Sequence, residues 1–289
     1  MVDMGDRHCP TRNEVQLRLM FPLESFIAQF EDKTIALSVY DLETGREMDI
    51  HADEPLHPAS TIKVHVMMEV FHQADQGMIS LDQQIPVHNS FASIADGSSF
   101  SLDVKDDSET SLYEKVGQVV SIRELTRLMI VRSSNLATNI LLEKVGAENV
   151  NSFIQSLDIQ GITVRRGVED NAAFRLGMNN SATARGLTQT MQAIAERRVV
   201  SKQASDEMIQ ILLGQEFNES IPALLPKSVK VAHKTGWTGE YYHDTGIIFI
   251  ENRQPYAISI MTRGFPEDKE EEAHECMAQI SKCVYDSLI

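Results

Sequence analysis

The stretch from Val229 to Arg263, VKVAHKTGWTGEYYHDTGIIFIENRQPYAISIMTR, decides the fold. It holds three runs rich in β-branched and aromatic residues, separated by turns that contain Gly or Asn, which is a pattern typical of β-strands. The runs are Val229–Lys234, Tyr242–Glu251 and Gln254–Arg263. The C-terminal part of the chain therefore supplies three strands.

Two more strands lie near the other end of the chain. Residues Thr34–Tyr40 alternate and carry β-branched side chains, the turn Asp41–Gly45 ends in glycine, and Arg46–His51 is predicted to be the return strand. Elsewhere apolar residues recur at helical spacing. Helices are predicted from near Ser60 to Gly77 and over residues 12–31, 121–132, 135–145, 147–157, 183–196, 201–213 and 269–288.

This order of elements predicts an α/β (α+β) fold, in which one antiparallel sheet is built from both chain ends and flanked by helices, with an all-helical subdomain inserted. Residues 21–59 and 200–289 are expected to form the sheet subdomain, residues 60–199 the helical subdomain, and residues 1–20 an N-terminal extension. The Ser-, Asp- and Gly-rich residues 89–111 are predicted to be an exposed loop or an insertion.

Composition excludes several classes of protein. Of the 289 residues, 42% are hydrophobic and 24% are charged, which is ordinary for a globular chain. No run of about 20 apolar residues exists that would span a membrane. The net charge of -16 repels phosphate, so no nucleic acid is expected as a partner. The cysteines and histidines show no metal-ligand spacing, and we expect neither a metal nor another cofactor.

The first residues of the chain, MVDMGDRH, lack the basic start and the apolar core of a signal peptide. The chain as written is therefore expected in the cytoplasm, or in the periplasm or outside the cell if an export signal has been removed. We expect a monomer that acts on a small molecule.

Three short elements carry candidate chemistry, and the first is Ser60-Thr-Ile-Lys63. It stands at the start of a predicted helix, where positions i and i+3 share a face, so that Lys63 can reach the Ser60 hydroxyl. A serine needs a base to become a good nucleophile, and an amine whose pKa is lowered by burial can serve. Taken alone, the pattern also fits a solvated helix start.

The other two elements are Ser133-Ser-Asn135 and Lys234-Thr-Gly236. The former lies between two predicted helices, where a hydroxyl can relay a proton and an amide can hold a carbonyl, although Ser and Asn also cap helices. The latter ends a predicted strand, where Lys and Thr suit a carboxylate and Gly permits close approach of a ligand. A simple turn at the end of a strand is the alternative.

In this order the three elements resemble the S-x-x-K, S-D-N and K-T-G signature of class A β-lactamases and penicillin-binding proteins. The resemblance extends over residues 20–289, and the stretch Ser133–Leu142 is similar to the family's S-D-N helix with its N-L-L run. It implies a β-lactamase/transpeptidase-like fold and a reaction through an acyl-serine.

The resemblance also implies which residues perform the catalytic steps. Ser60 is the nucleophile that becomes acylated, Lys63 is a candidate base, and Ser133 relays a proton. The backbone N–H groups of Ser60 and Trp237 form an oxyanion hole, which is often the largest single contribution to catalysis.

Further residues are implied in substrate binding. Asn135 holds the substrate's amide, and Lys234 and Thr235 bind its carboxylate, with Gly236 beside them. Arg263, on the last predicted strand, is expected to add positive charge for the same carboxylate.

The sequence departs from the family pattern at two places. The middle residue of S-D-N is Ser134 instead of Asp. The connection over residues 160–180 contains no E-x-x-L-N element, whose Glu in the family activates the water that releases the acyl group. Glu169 and Asp170 lie in that region, and either is a candidate for this base, or pairs with one of two nearby arginines to hold the loop.

We predict a serine hydrolase that works through an acyl-serine intermediate, first of all a β-lactamase, including one of low activity. Two alternatives stay open: a penicillin-binding or sensor protein that is acylated without turnover, and a carboxylesterase or peptidase on the same scaffold. A triad based on His57, His233 or His243 is an alternative mechanism.

Overall fold

The computed structural model describes residues 23–289 and contains a five-stranded antiparallel sheet. Its strands lie in the order Arg46–Ile50 (β2), Thr34–Asp41 (β1), Tyr256–Arg263 (β11), Tyr241–Phe249 (β10) and Lys230–Thr238 (β9). The N-terminal hairpin joins the C-terminal strands through the pairing of β1 with β11. The prediction of one sheet built from both chain ends is thereby confirmed. The strands are β1 Thr34–Asp41, β2 Arg46–Ile50, β3 Gln84–Pro86, β4 Phe91–Ala92, β5 Ser99–Phe100, β6 Val119–Ser121, β7 Ile162–Thr163, β8 Ser181–Ala182, β9 Lys230–Thr238, β10 Tyr241–Phe249 and β11 Tyr256–Arg263.

Residues 23–27 are helical, whereas the predicted extension and the first part of the predicted N-terminal helix lie outside the described residues. No helix within residues 23–289 is long and apolar enough to cross a membrane. The helices that follow are α1 Lys63–Asp75, α2 Ile122–Val131, α3 Asn135–Val145, α4 Ala147–Ser156, α5 Asn171–Arg175, α6 Ala184–Ala195, α7 Lys202–Leu213 and α8 Glu270–Leu288.

Helices cover both faces of the sheet. On one face Leu37 and Ile258 pack with Met277 of α8, and on the other face Leu187 of α6 packs with Met261. The strand β11 is consequently buried along nearly its whole length. A strand buried on both faces has a nearly continuous apolar sequence, and burial of apolar surface is the main favourable contribution to folding.

The second core surrounds α1. All residues from Lys63 to Phe71 are buried, so this helix is enclosed on every side. The reason is that α2, α3 and α4 all pack against this helix. The arrangement places a lysine, the first residue of α1, in the interior of the protein.

Three segments differ from the sequence predictions. The strand β9 continues through Lys234-Thr-Gly236 to Thr238, because its pairing with β10 persists up to the turn at Gly239. Residues 89–111 contain the short hairpin β4–β5, and residues 160–180 contain α5. The hairpin β4–β5 and the helix α5 are too short to show a hydrophobic periodicity in the sequence.

Candidate active site

Ser60 lies in the 3-10 turn Ala59–Ile62, directly before α1 and not in its first turn. The strand β9 crosses this turn so closely that an added Cβ on Gly236 would lie 2.7 Å from the Ser60 nitrogen. Glycine at position 236 permits this approach, because it has no side chain to collide with the turn. The K-T-G strand and the serine turn are thus in direct backbone contact.

Lys63 is fully buried one helical turn after Ser60. Its Nζ donates to the Ser133 carbonyl at 2.5 Å and to Asn135 Oδ1 at 2.9 Å, and it lies 3.3 Å from Ser133 Oγ. Burial lowers the pKa of Lys63 to about 7, against the opposing effect of two nearby carboxylates. A neutral amine that donates two hydrogen bonds retains a lone pair that can accept a proton.

Ser133 lies between two buried lysines. Its backbone has a φ of 56°, which is uncommon for a residue with a side chain. Lys234 Nζ donates to Ser133 Oγ at 3.0 Å and to the Thr235 carbonyl at 2.6 Å. Burial and the charge of Lys63 lower the pKa of Lys234, whereas Asp244 raises it. Because each charged amine disfavours the charged form of the other, the coupled pair favours a state in which at most one of Lys63 and Lys234 is protonated.

A cleft of about 1240 Å³ opens beside Ser60. Trp237, which is 39% exposed, and Tyr241 line this cleft. Tyr242 does not, because it is buried in the core on the α8 side, with its ring 5.7 Å from that of His274. Successive side chains of a strand point to opposite faces of the sheet, so Tyr241 faces the cleft and Tyr242 faces the core.

Two further polar groups, the Thr235 hydroxyl and the Asn135 amide, lie next to the lysines. The Thr235 hydroxyl is buried and has no hydrogen-bond partner among the described residues 23–289. Asn135 Nδ2 donates to the Asp106 carbonyl at 3.2 Å and to Glu169 Oε1 at 3.3 Å. A buried hydroxyl left unpaired costs about 1–3 kcal/mol, which is a reason for it to bind a ligand.

Glu169 faces the cleft from the loop that precedes α5. Its Oε1 accepts the hydrogen bond from Asn135, and its Oε2 accepts one from the Asp103 backbone nitrogen at 3.3 Å. The Glu169 backbone has a φ of 62°, so the loop reverses sharply at this residue. Burial raises the pKa of Glu169, and the surrounding carboxylates add to that effect.

Asp170 points the opposite way. Its Oδ1 accepts hydrogen bonds from Ser93 Oγ at 2.7 Å and from the Ala173 nitrogen at 3.0 Å, and its Oδ2 accepts one from the Ile94 nitrogen at 3.0 Å. Burial favours the neutral form, but these hydrogen bonds outweigh it and lower the pKa of Asp170. The structure therefore places Asp170 outside the cleft, as a group that joins the β4–β5 hairpin to the loop, and not as a candidate base.

Replacing Asp170 by Asn is expected to lower the free energy of unfolding by about 1–3 kcal/mol near neutral pH, because the amide cannot accept all three hydrogen bonds. The folded pKa lies below the unfolded value of about 3.9, so the carboxylate stabilises the protein fully above that value. This contribution is lost as the pH falls through the folded pKa. Urea unfolding of the wild type and of Asp170→Asn at neutral and at acidic pH measures this contribution. If the free energies of unfolding of the two proteins differed equally at both pH values, the Asp170 carboxylate would not be the source of the stabilisation.

Two asparagines hold the same loop. Asn180 Oδ1 accepts from the backbone nitrogens of Arg165 and Arg166 at 2.7 and 3.1 Å. Asn139 accepts from the Val168 nitrogen at 2.8 Å and donates to its carbonyl at 3.0 Å. In the part of the chain that the structure describes, no ion pair joins Glu169 or Asp170 to an arginine. The side-chain amides of the two asparagines hold the loop instead.

Comparison with known proteins agrees with this geometry. The sequence profile of the β-lactamase enzyme family matches residues 19–288. The chain belongs to the β-lactamase enzyme family. The prediction of a serine hydrolase with the β-lactamase fold is thereby confirmed.

Individual relatives of the family are distant. β-Lactamase BRO-1 of Moraxella catarrhalis is 25% identical over 249 residues, which cover 84% of this chain and 76% of that protein. Extended-spectrum β-lactamase PER-1 of Pseudomonas aeruginosa is 23% identical over 270 residues, covering 87% and 82%. The solved structure of PBP-A matches with a TM-score of 0.81 at 23% identity, covering 94% of this chain and 96% of that one. TLA-1 extended-spectrum β-lactamase matches with a TM-score of 0.80 at 22% identity, covering 94% and 98%.

Arg263 does not reach the cleft of this β-lactamase-family chain. Its guanidinium donates to Thr34 Oγ1 at 3.1 Å, because β11 pairs Arg263 with Thr34 of the neighbouring strand β1. It is absent from the residues that line the cleft. This contact does not support the expectation that Arg263 adds charge for a substrate carboxylate, and that role stays a prediction.

The structure does not assemble a histidine triad at Ser60. His57 lines the cleft, but its Nδ1 accepts a backbone N–H at 3.2 Å, and burial lowers the pKa of His57 to about 4. His233 is buried outside the cleft and bonds Asp244 at 2.9 Å. His243 is buried as well, 2.7 Å from the His57 carbonyl. Among residues 23–289, no three His, Cys, Asp or Glu side chains gather as a metal site.

Sequence reasoning missed one residue beside the site, Asp107. Its carboxylate is buried, and its Oδ2 accepts hydrogen bonds from the Leu136 nitrogen at 2.9 Å and from the Tyr113 hydroxyl at 3.0 Å. In the sequence nothing distinguishes Asp107 from Asp103 and Asp106 of the same acidic segment. Only the folded contact with α3 identifies it.

Proposed function

We propose that this protein hydrolyses β-lactam amides through an acyl-serine intermediate on Ser60. The observation that carries the proposal is the environment of Lys63, a fully buried amine with a pKa of about 7 that is hydrogen-bonded to Ser133 and Asn135. An amine with these properties can act as a base near neutral pH, and the Ser60 turn lies directly before it.

In the acylation step, neutral Lys63 takes the proton of the Ser60 hydroxyl as its oxygen attacks the lactam carbonyl carbon. The carbonyl becomes an oxyanion, which the backbone N–H groups of Ser60 and Trp237 stabilise. The C–N bond of the ring then breaks, and the departing nitrogen takes a proton that Ser133 relays from the lysines. The product is a Ser60 ester that carries the opened ring.

Substrate binding is assigned to the groups beside Ser133. Lys234 and the unpaired Thr235 hydroxyl suit the carboxylate that accompanies a β-lactam ring, because a bound carboxylate favours the protonated form of a lysine that burial otherwise disfavours. The Asn135 amide suits the carbonyl of an acylamino side chain. Gly236 allows the Ser60 turn to lie directly against β9, which holds the nucleophile beside these groups.

Deacylation is assigned to Glu169, the candidate carboxylate that lines the cleft. It would take a proton from a water molecule, whose oxygen attacks the ester carbonyl, and the Ser60 oxygen would leave with that same proton, passed from Glu169 through neutral Lys63. Water and ester are consumed, and the free serine and the opened acid are formed, so the cycle closes without any further reactant.

Acyl capture without turnover is the second candidate function. Both oxygens of Glu169 already accept hydrogen bonds, from Asn135 and from the Asp103 nitrogen, and the loop lacks the E-x-x-L-N element. If those contacts persist in the acyl-enzyme, they hold the carboxylate away from a water. The protein would then behave as a penicillin-binding or sensor protein.

The test is a chromogenic cephalosporin, followed by absorbance and by intact mass, with Ser60→Ala as the control. Sustained colour change that the variant loses supports the hydrolase. One acyl adduct per chain without turnover supports capture instead. If neither colour nor adduct forms, p-nitrophenyl esters distinguish an esterase from a wrong assignment of Ser60.

A further inference from the structure

The segment 89–111 contacts the active site at a second place besides the loop of Glu169. Asp107, near its end, is 6% exposed and lies against the first turn of α3. Its Oδ2 accepts from the Leu136 nitrogen at 2.9 Å and lies 3.5 Å from Ser134 Oγ. Its Oδ1 accepts from the Glu109 nitrogen at 3.0 Å, so the carboxylate is held on both sides.

These contacts surround the turn that binds Lys63. Ser134 caps α3, with its Oγ accepting from the Ala137 nitrogen at 3.1 Å, and Ser133 directly before it offers its carbonyl to Lys63. A carboxylate at the N-terminus of a helix is favoured by the free N–H groups and the helix dipole. Asp107 therefore fixes the helix end whose preceding residue holds the lysine.

We propose that Asp107 is a positioning residue for the reaction at Ser60, and that it supplies from segment 89–111 the carboxylate that S-D-N sequences carry at position 134. The chain has Ser134 where those sequences have Asp, and the carboxylate of Asp107 lies against that serine hydroxyl. The inference rests on the proposed function, since the reaction that Asp107 serves is acylation of Ser60.

The Asp107 carboxylate also affects the protonation of Lys63. The charged groups that act on it are Asp107 and Glu169, which both raise its pKa, and Lys234, which shares Ser133 Oγ with it. Removing the charge of Asp107 while keeping its shape leaves one carboxylate beside the amine. The base is then deprotonated at lower pH.

An exchange of the two residues tests the position of the carboxylate. Asp107→Ser is expected to lower the acylation rate constant about tenfold or more, because the Leu136 N–H loses its acceptor. Ser134→Asp alone is expected to impair acylation as well, because two carboxylates then share one site. The double variant restores the single carboxylate, and its acylation rate and unfolding temperature are expected to exceed those of both single variants.

Asp107→Asn tests the effect of charge. The acylation rate is measured with a chromogenic cephalosporin as a function of pH. The pH at which this rate falls off on the acid side is expected to be lower in the variant than in the wild type, which a purely structural role of Asp107 would not cause. Glu109→Gln is the matched control, because Glu109 is a buried carboxylate of the same segment that bonds Ser111 and pairs with Arg132 instead of capping α3. It should leave the pH dependence of the acylation rate unchanged.

The outcomes separate the two proposals. If the wild type forms no acyl adduct, the proposed function fails, and the unfolding temperatures of the exchange series still decide whether Asp107 holds α3. If the wild type is acylated and Asp107→Ser reacts at the same rate, the inference is overturned. It is also overturned if the double variant is no better than the poorer single variant.

Discussion

Replacing Glu169 by Gln is expected to leave Ser60 able to react and to stop the release of the acyl group, so that the variant accumulates acyl-enzyme. Glu169 is the candidate carboxylate that faces the cleft, whereas Asp170 is bonded to Ser93 and Ile94. Gln can keep the contact with Asn135 but cannot accept a proton from water. We expect deacylation to slow by about 10²–10⁴-fold, the usual contribution of a general base.

The same substitution has a predicted signature in pH. The Glu169 charge raises the pKa of Lys63, so its removal lowers that pKa, and acylation should persist to lower pH than in the wild type. In the wild type, deacylation requires ionised Glu169 and is lost as the pH falls through its pKa, which burial has raised.

Rapid mixing with a chromogenic cephalosporin and intact mass at successive times measure both effects. Asp170→Asn is the matched control, since it makes the same change of carboxylate to amide one residue away, and it should be less stable without accumulating adduct. Glu169→Asp keeps the negative charge on a shorter side chain. Its deacylation rate is expected to lie between those of the wild type and Glu169→Gln. Normal turnover in Glu169→Gln would mean that another group activates the water.

The strands and long helices could be predicted from the sequence because each is long enough to show its period. Thr34–Tyr40 and the helix over residues 135–145 were located to within a residue. The sequence predicts Lys234 at the end of a strand, because a glycine at position 236 is typical of a turn. In the structure this glycine lies within β9, where it admits the Ser60 turn.

The site was predictable as a set of motifs, not as a set of contacts. Lys63, Ser133 and Lys234 meet because α1, the turn before α3 and β9 converge, and no spacing in the sequence fixes that. The opposite directions of Glu169 and Asp170 follow from a positive φ at Glu169. Asp107 could not be identified from the sequence, because the Leu136 nitrogen that it binds on α3 is 29 residues away in the chain.

Replacing Lys63 by Met is expected to abolish acylation almost completely, with a loss of the acylation rate on the order of 10³-fold or more. Met fills a similar volume in the buried site but has no nitrogen to take the Ser60 proton. It also leaves the Ser133 carbonyl and Asn135 Oδ1 without their donor, so some loss of stability is expected. Acylation rates and thermal unfolding, measured on the same samples, separate these two effects.

Lys63→Arg separates basicity from charge. Arginine donates hydrogen bonds and keeps the positive charge, but it does not lose its proton in proteins. If Lys63 is the base, the Arg variant should fail to acylate at every pH, while wild-type acylation rises as the pH increases through about 7, where the amine becomes neutral. An Arg variant that folds and acylates at the wild-type rate would show that the lysine acts only as a cation. The proton of Ser60 would then have to pass to another group in the cleft, and the ionised Glu169 carboxylate would be the first to examine.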